Sequence, residues 1–209
     1  MKKYCLLFTV CCLLFGCAGY QTPPRDEWSS VLRGASFGDM TSDAKIAKRP
    51  IFMGTGGVPI ESAAVARPMM EQLEYELYDA LRKPGIQVQR VGTDVVVVLV
   101  RDAFMSVDQP DISADGADTL RIISKILVKY GNTYIEIAGY TDAMRDANMA
   151  KSFSLDMAQR VALFFAAHEI HPVRMFIVGR GSARPISDQS TTGRLMNRRV
   201  ELRISPVIR

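Results

Sequence analysis

The stretch Ala138–Phe165, AGYTDAMRDANMAKSFSLDMAQRVALFF, changes character twice. Tyr134 to Ala138 reads as a strand that closes on Gly139-Tyr140-Thr141-Asp142, and a polar loop comes next. From about Ser154 to Ala167 the apolar residues Leu155, Ala158, Ala162 and Phe165 recur on one face, as in a helix. A strand, a polar turn and a helix in that order hold one carboxylate, Asp142, at the mouth of a domain. Met157 stands on the helix behind it.

Upstream, Asp111 to Gly131 carries Leu120, Ile123, Leu127 and Tyr130 as a helical stripe, with Gly131 placed as a C-terminal cap. Pro68 suits the first turn of an earlier helix. There Met70, Leu73, Leu77 and Leu81 keep helical spacing until Pro84-Gly85. GIQVQRVGTDVVVVLV reads as two strands around Gly92-Thr93-Asp94, and Val95–Val100 is apolar on both faces, as a central strand is. Downstream, Met175–Val178 and Arg199–Ile204 are further strands joined by a loop. Such alternation predicts crossover units with helices packed on one face of a sheet.

The start, MKKYCLLFTVCCLLFGC, pairs Lys2 and Lys3 with an apolar run from Tyr4 to Phe15. A transmembrane helix needs roughly 20 apolar residues, so this run has the proportions of a secretory signal. Its end, Leu14-Phe15-Gly16-Cys17, resembles the lipobox of bacterial lipoproteins, although Phe15 is bulkier than usual there. The resemblance implies cleavage after residue 16 and acylation of Cys17, palmitate included. Ala18 in place of Asp implies delivery to the outer membrane. Processing would remove Cys5, Cys11 and Cys12, which excludes a disulfide framework and thiol chemistry in the mature chain. Residues 17–67 then comprise the acylated cysteine, a tether with Pro23-Pro24, and an irregular segment from Val31 to Val65.

The formal charge of +4 falls to +2 without Lys2 and Lys3, so the chain is nearly balanced. Arginine is concentrated late: residues 174, 180, 184, 194, 198, 199, 203 and 209 come after Pro172. A basic end suits an anionic polymer or a membrane surface, and an exported chain excludes nucleic acid as the partner.

Several signals of chemistry lead nowhere. FMGTGGVP has no Gly-Lys-Ser/Thr ending, so it is not a phosphate loop. Asp111 to Gly116 imitates a calcium loop, but its twelfth position is Ile122; helix capping explains the same residues. His168 and His171 lack a third ligand. With no Gly-x-Ser-x-Gly elbow and no nucleophile beside a base, the expectation is a protein that is neither an enzyme nor a cofactor carrier.

Met69 to Arg209 resembles the OmpA-like peptidoglycan-binding domain. The resemblance rests on GIQVQRVG before a valine strand, IAGYTD, FSLDMAQRV, GRGSARP and GRLMNRRVELRI, in that order. It implies an α+β fold over residues 68–209, a β-α-β-α-β-β sandwich with helices on one face of a mixed sheet. It also implies non-covalent binding of the diaminopimelate stem peptide of peptidoglycan. A weaker, architectural similarity is to OmpA-like lipoproteins of type IVB (Dot/Icm-like) secretion systems, which implies envelope or secretion-complex proteins as partners.

The free end of diaminopimelate carries an ammonium and a carboxylate on one carbon. Its site needs a carboxylate facing a guanidinium, since charge-assisted bonds are strong and arginine grips a carboxylate with two donors. Asp142 matches the family's ammonium-binding aspartate, with Thr141 beside it. The family's arginine position, however, is Met157; its loop asparagine falls on Ala150 and its loop glycine on Arg145. Either another arginine supplies the charge, from Arg160, Arg145, Arg194 or Arg198, or the module has lost its ligand and packs inside an envelope assembly. Asn197, in the motif Asn197-Arg198-Arg199-Val200-Glu201, either lines the groove or stabilises the fold.

Overall fold

The computed structural model describes residues 60–106 and 111–208. The expectations for the signal peptide, the acylated Cys17 and the tether lie outside the described residues.

The valine run is the strand β2 (Asp94–Val100), and it is joined to β1 (Ile86–Val91) through a two-residue hairpin. Gly92 takes that turn with φ of +66°, a backbone conformation open to glycine but costly for other residues. Next come α2 (Ala114–Lys129), β3 (Thr133–Tyr140), α3 (Ala147–Ala166), β4 (Met175–Gly179), α4 (Thr191–Asn197) and β5 (Arg199–Pro206); α1 (Ala63–Ala80) precedes them all. The five strands form one sheet in the order β1-β2-β5-β3-β4. Only β3 and β4 are parallel, so the sheet is mixed.

Alternate residues of β2, β3 and β5 face the helices: Val95, Val97 and Leu99 meet Ile135, Ile137, Leu202 and Ile204 in one core with the stripes of α1, α2 and α3. The stripes expected on α1 and α2 are buried throughout. On α3, Ala158, Ala162 and Phe165 are buried, and Leu155 is half-buried against Gly179.

Four boundaries differ from the sequence reading, each for a capping reason. Helix α1 starts at Ala63, capped by Ser62, so Pro68 lies inside the helix and not in its first turn. Helix α3 starts at Ala147, because the Asp146 carboxylate accepts the N–H groups of Asn148 (2.8 Å) and Met149 (3.1 Å). The predicted loop before β5 contains α4, whose cap Ser190 accepts the Gly193 N–H at 3.1 Å. Gly131 does not adopt the left-handed conformation of a glycine cap. Arg174 closes that end of α2 instead, donating to the carbonyls of Leu127 (3.1 Å), Tyr130 (2.9 Å) and Thr133 (3.0 Å) and to Thr133 Oγ1 (3.0 Å). A cation at a helix C-terminus both satisfies orphan carbonyls and complements the helix dipole. Burial draws the Arg174 pKa down to about 10, so the guanidinium is still charged at neutral pH.

Helices α1 and α2 are joined by Glu76. Its carboxylate accepts from Lys129 Nζ (3.1 Å), the Tyr130 hydroxyl (3.0 Å) and Gln72 (3.3 Å). These donors, Lys129 foremost, hold the Glu76 pKa below its ordinary value against the opposing effect of burial. The Tyr130 hydroxyl is pushed up to about 12 by desolvation and then by Glu76.

The packing of α3 and the bonds of Glu76 can each be tested by substitution. A β-carbon on Gly139 would lie 1.9 Å from the Ser154 carbonyl oxygen, a backbone atom that cannot swing aside. Gly139→Ala is expected to cost about 3 kcal/mol in chemical denaturation, the upper end of ordinary overpacking. A carboxyl whose pKa is depressed by folding stabilises the fold above its unfolded pKa, about 4.3 for glutamate, and that contribution disappears as pH falls through the lower folded value. Acid unfolding of Glu76→Gln should therefore depend less steeply on pH than that of the wild type below about pH 4.3.

Candidate functional site

The parallel strands β3 and β4 end side by side, and three short contacts fix the chain just beyond them. Arg180 N–H donates to the Gly139 carbonyl (2.9 Å), Thr141 N–H to the Gly181 carbonyl (2.8 Å), and Gly181 N–H to Ser154 Oγ (2.9 Å). Gly139 and Gly179 let α3 lie directly on the strands: added β-carbons would meet the carbonyl oxygens of Ser154 and Lys151 at 1.9 and 2.5 Å. Thr141 and Asp142 thus emerge at the carboxyl end of a parallel pair, where open α/β sheets commonly bind ligands.

Asp142 is half-buried, and its carboxylate has no hydrogen-bond or ion-pair partner among the described residues. Thr141 is 4% exposed, and its hydroxyl is enclosed without a partner. Strand β5 begins at this same pole, because the antiparallel ladder pairs Tyr140 with Arg199. Arg198 is half-buried and Arg194, on α4, is exposed; neither guanidinium has a partner among the described residues. Arg145 is exposed in the loop before α3.

Arg160 is placed differently. Its guanidinium lies between two carboxylates, with Nε 3.0 Å from Asp156 and Nη1 2.5 Å from Asp111. A ligand carboxylate would have to compete with both. Met157 is 1% exposed and belongs to the core, so it acts as packing.

Of the two roles open to Asn197, lining the groove or stabilising the fold, its bonds support the second. The side chain is fully buried, and its amide is committed to the loop before α4. Oδ1 accepts the N–H groups of Ile186 (2.8 Å) and Ser187 (3.0 Å), and Nδ2 donates to the Ser187 carbonyl (3.1 Å). Asn197 therefore shapes the loop that leads back to Gly181. Arg199 is buried in the same way: its guanidinium stacks 3.8 Å over the Tyr140 ring, pairs with Glu201 at 2.7 Å and donates to the Arg184 carbonyl at 3.0 Å. Burial, and to a lesser degree Glu201, raises the Tyr140 pKa. Of the three polar residues that open the Asn197–Glu201 motif, only Arg198 retains donors without acceptors in the fold.

The arginine-rich end divides accordingly. Arg174, Arg180 (on Glu136, 2.8 Å), Arg199 and Arg203 (on Asp94, 3.1 Å) are bound within the fold, whereas Arg184, Arg194 and Arg198 have no side-chain partner among the described residues. Nothing in the linear sequence separates the two groups; burial on the strands does. The other polar candidates have structural roles. Ser113 Oγ caps α2 by accepting the Gly116 N–H (3.0 Å), His168 stacks on Phe164 at 4.1 Å, and His171 Nδ1 accepts the Val173 N–H at 3.2 Å.

Residues 106–199 match the model of the OmpA family. The chain is 29% identical over 139 residues to the Escherichia coli (strain K12) protein "Probable lipoprotein YiaD". That match covers 66% of this chain, which spans 64% of the relative's length. Among solved structures, the chain is similar to a MotB-like protein from Desulfovibrio vulgaris, with TM-score 0.61 and 18% identity over 69% of this chain and 95% of that one. It is also similar to the cell wall anchor of the T6SS from Pseudomonas aeruginosa, with TM-score 0.57 and 23% identity over 67% of this chain and 99% of that one. These two structures share the fold.

Removing the Asn197 amide leaves two part-buried backbone N–H groups without their acceptor. Asn197→Ala is expected to lose about 1–3 kcal/mol of stability by denaturant titration. Hydrogen exchange should rise first at Ile186 and Ser187.

Proposed function

We propose that this OmpA-like domain binds peptidoglycan non-covalently through the diaminopimelate stem peptide, with Asp142 as the acceptor for the ammonium. The observation that carries this reading is the unpartnered, half-buried Asp142 carboxylate at the carboxyl end of β3 and β4, beside the enclosed Thr141 hydroxyl. A half-buried carboxylate gains from an ammonium that offers both charge and donors. Guanidinium groups at the same pole are available for the ligand's own carboxylate. The role is adhesion, not catalysis.

With Cys17 acylated, the chain is an outer-membrane lipoprotein whose domain faces the periplasm and links membrane to wall. Each buried CH₂ of an acyl chain contributes about 0.8 kcal/mol, so several chains on one residue anchor it durably without a membrane-spanning helix. The proposed domain covers residues 68–209; the Ile60–Ile208 bridge and the start of α1 at Ala63 support an earlier start.

A second reading has its own support. Met157 is sealed in the core and Arg160 is held by Asp111 and Asp156, so the arginine that the family resemblance calls for is missing from the helix. On that reading the domain is a structural subunit of an envelope or secretion complex.

Sedimentation with diaminopimelate-type peptidoglycan separates the two. Wild type should pellet, and Asp142→Ala should bind roughly ten- to a hundredfold more weakly, the effect of losing one charge-assisted bond. A wild type that stays soluble, yet co-purifies with large envelope complexes, would establish the structural reading instead.

A further inference from the structure

Three buried donors at the pole of Asp142 have no acceptor among the described residues: Thr141 Oγ1, Arg198 Nε and Arg101 Nε. They lie just beyond the ends of three neighbouring strands. The last paired row across the sheet is Val100, Arg199 and Tyr140. Arg101 directly follows β2, Arg198 directly precedes β5, and Thr141 directly follows β3. The Arg101 N–H donates to the Arg198 carbonyl at 2.8 Å, which keeps the first two in step.

Such a row is unusual. Buried donors in folded proteins are almost always paired, and each exception calls for an explanation. Arg90, Arg180 and Arg203 also keep one buried nitrogen without an acceptor among the described residues, and their guanidinium groups hold Glu74, Glu136 and Asp94. Arg101 likewise pairs with a carboxylate, Asp102, at 3.2 Å and donates to the Ser106 carbonyl at 3.4 Å, and its Nε is left over; what sets it apart is its place beside Arg198. Arg198 has no side-chain partner among the described residues.

A set of donors without acceptors calls for a ligand group that only accepts. A carboxylate is such a group, with two oxygens and about four lone-pair sites, and guanidinium groups match its geometry. We propose that Arg101, Arg198 and Thr141 form a carboxylate subsite next to Asp142. The inference rests on the reading of Asp142 as an ammonium acceptor: the two subsites together would hold the zwitterionic end of a stem peptide. Arg101 and Arg198 then supply the positive charge absent at Met157, and Arg160 retains its bonds to Asp111 and Asp156.

Two titrations of the purified full chain test this. In the first, acetate is added while the arginine Nε–H signals are followed by NMR. Those of Arg101 and Arg198 should shift saturably. In the second, binding of the tripeptide L-Ala-γ-D-Glu-diaminopimelate is measured by calorimetry on wild type, Asp142→Ala, Arg101→Lys, Arg198→Lys and Thr141→Val. The lysine variants keep the charge and lose the Nε donor, and each should weaken binding about tenfold or more, the effect expected of a charge-assisted bond. Thr141→Val should also weaken binding while raising the melting temperature by about 2–4 °C, because it removes a buried hydroxyl that nothing satisfies in the free protein.

Wild-type tripeptide affinity in both lysine variants, or no acetate-dependent shift at either arginine, overturns the subsite. If Asp142→Ala alone abolishes binding, the peptidoglycan reading stands and this subsite falls. If acetate shifts both arginines but the tripeptide does not bind, the subsite stands and the peptidoglycan reading falls.

Discussion

Everything at the candidate site depends on how closely α3 lies on the ends of β3 and β4. Two glycines, Gly139 and Gly179, leave no space for a β-carbon between the strands and the helix backbone. Ser154 then reaches across to the Gly181 N–H, and Gly181 in turn accepts from Thr141. The chain leaving β3 is held at Thr141 and set free at Asp142. A carboxylate positioned by backbone on one side and open on the other can serve a ligand without first breaking bonds within the protein. This is a form of preorganisation, in which ordering is completed during folding and does not have to be repeated on binding.

The arginines show how one residue type serves two purposes on one sheet. Arg174 and Arg199 are almost wholly buried and satisfied by carbonyls, a carboxylate and an aromatic ring. They stabilise the end of α2 and the loop before α4. Arg101 and Arg198 sit in less complete surroundings, with buried donors left over. The contrast runs through adjacent residues: Arg198 closes α4, and Arg199 opens β5, stacked on Tyr140 and paired with Glu201.

Much of this was readable in the residues. The valine run could only be a central strand, and the stripes of α1 and α2 fell on the core face because helical spacing is a strong signal when every position is large and apolar. The position of Asp142 just past the end of β3 was readable because an ordered set of motifs surrounds it. What escaped depended on polar atoms and long-range pairing. Helix α4 has only seven residues and no apolar stripe, so its Ser190 cap gave the one local clue. The first turns of α3 are polar and depend on Asp146 in the same way. Arg101 escaped because its neighbour Arg198 lies far along the chain and becomes adjacent only through the β2–β5 ladder. The buried state of Asn197 escaped for the same reason, since its partners lie in a loop that periodicity does not describe.

Whether the ligand enters at the pole of Asp142 can be mapped by NMR, from backbone amide shifts of the labelled full chain as soluble stem tripeptide is added. Entry at that pole should give saturable changes centred on Thr141, Asp142, Gly181 and Arg198. Changes centred instead on the groove between the far ends of α2 and α3, lined by Lys125, Val128 and His168, would contradict it.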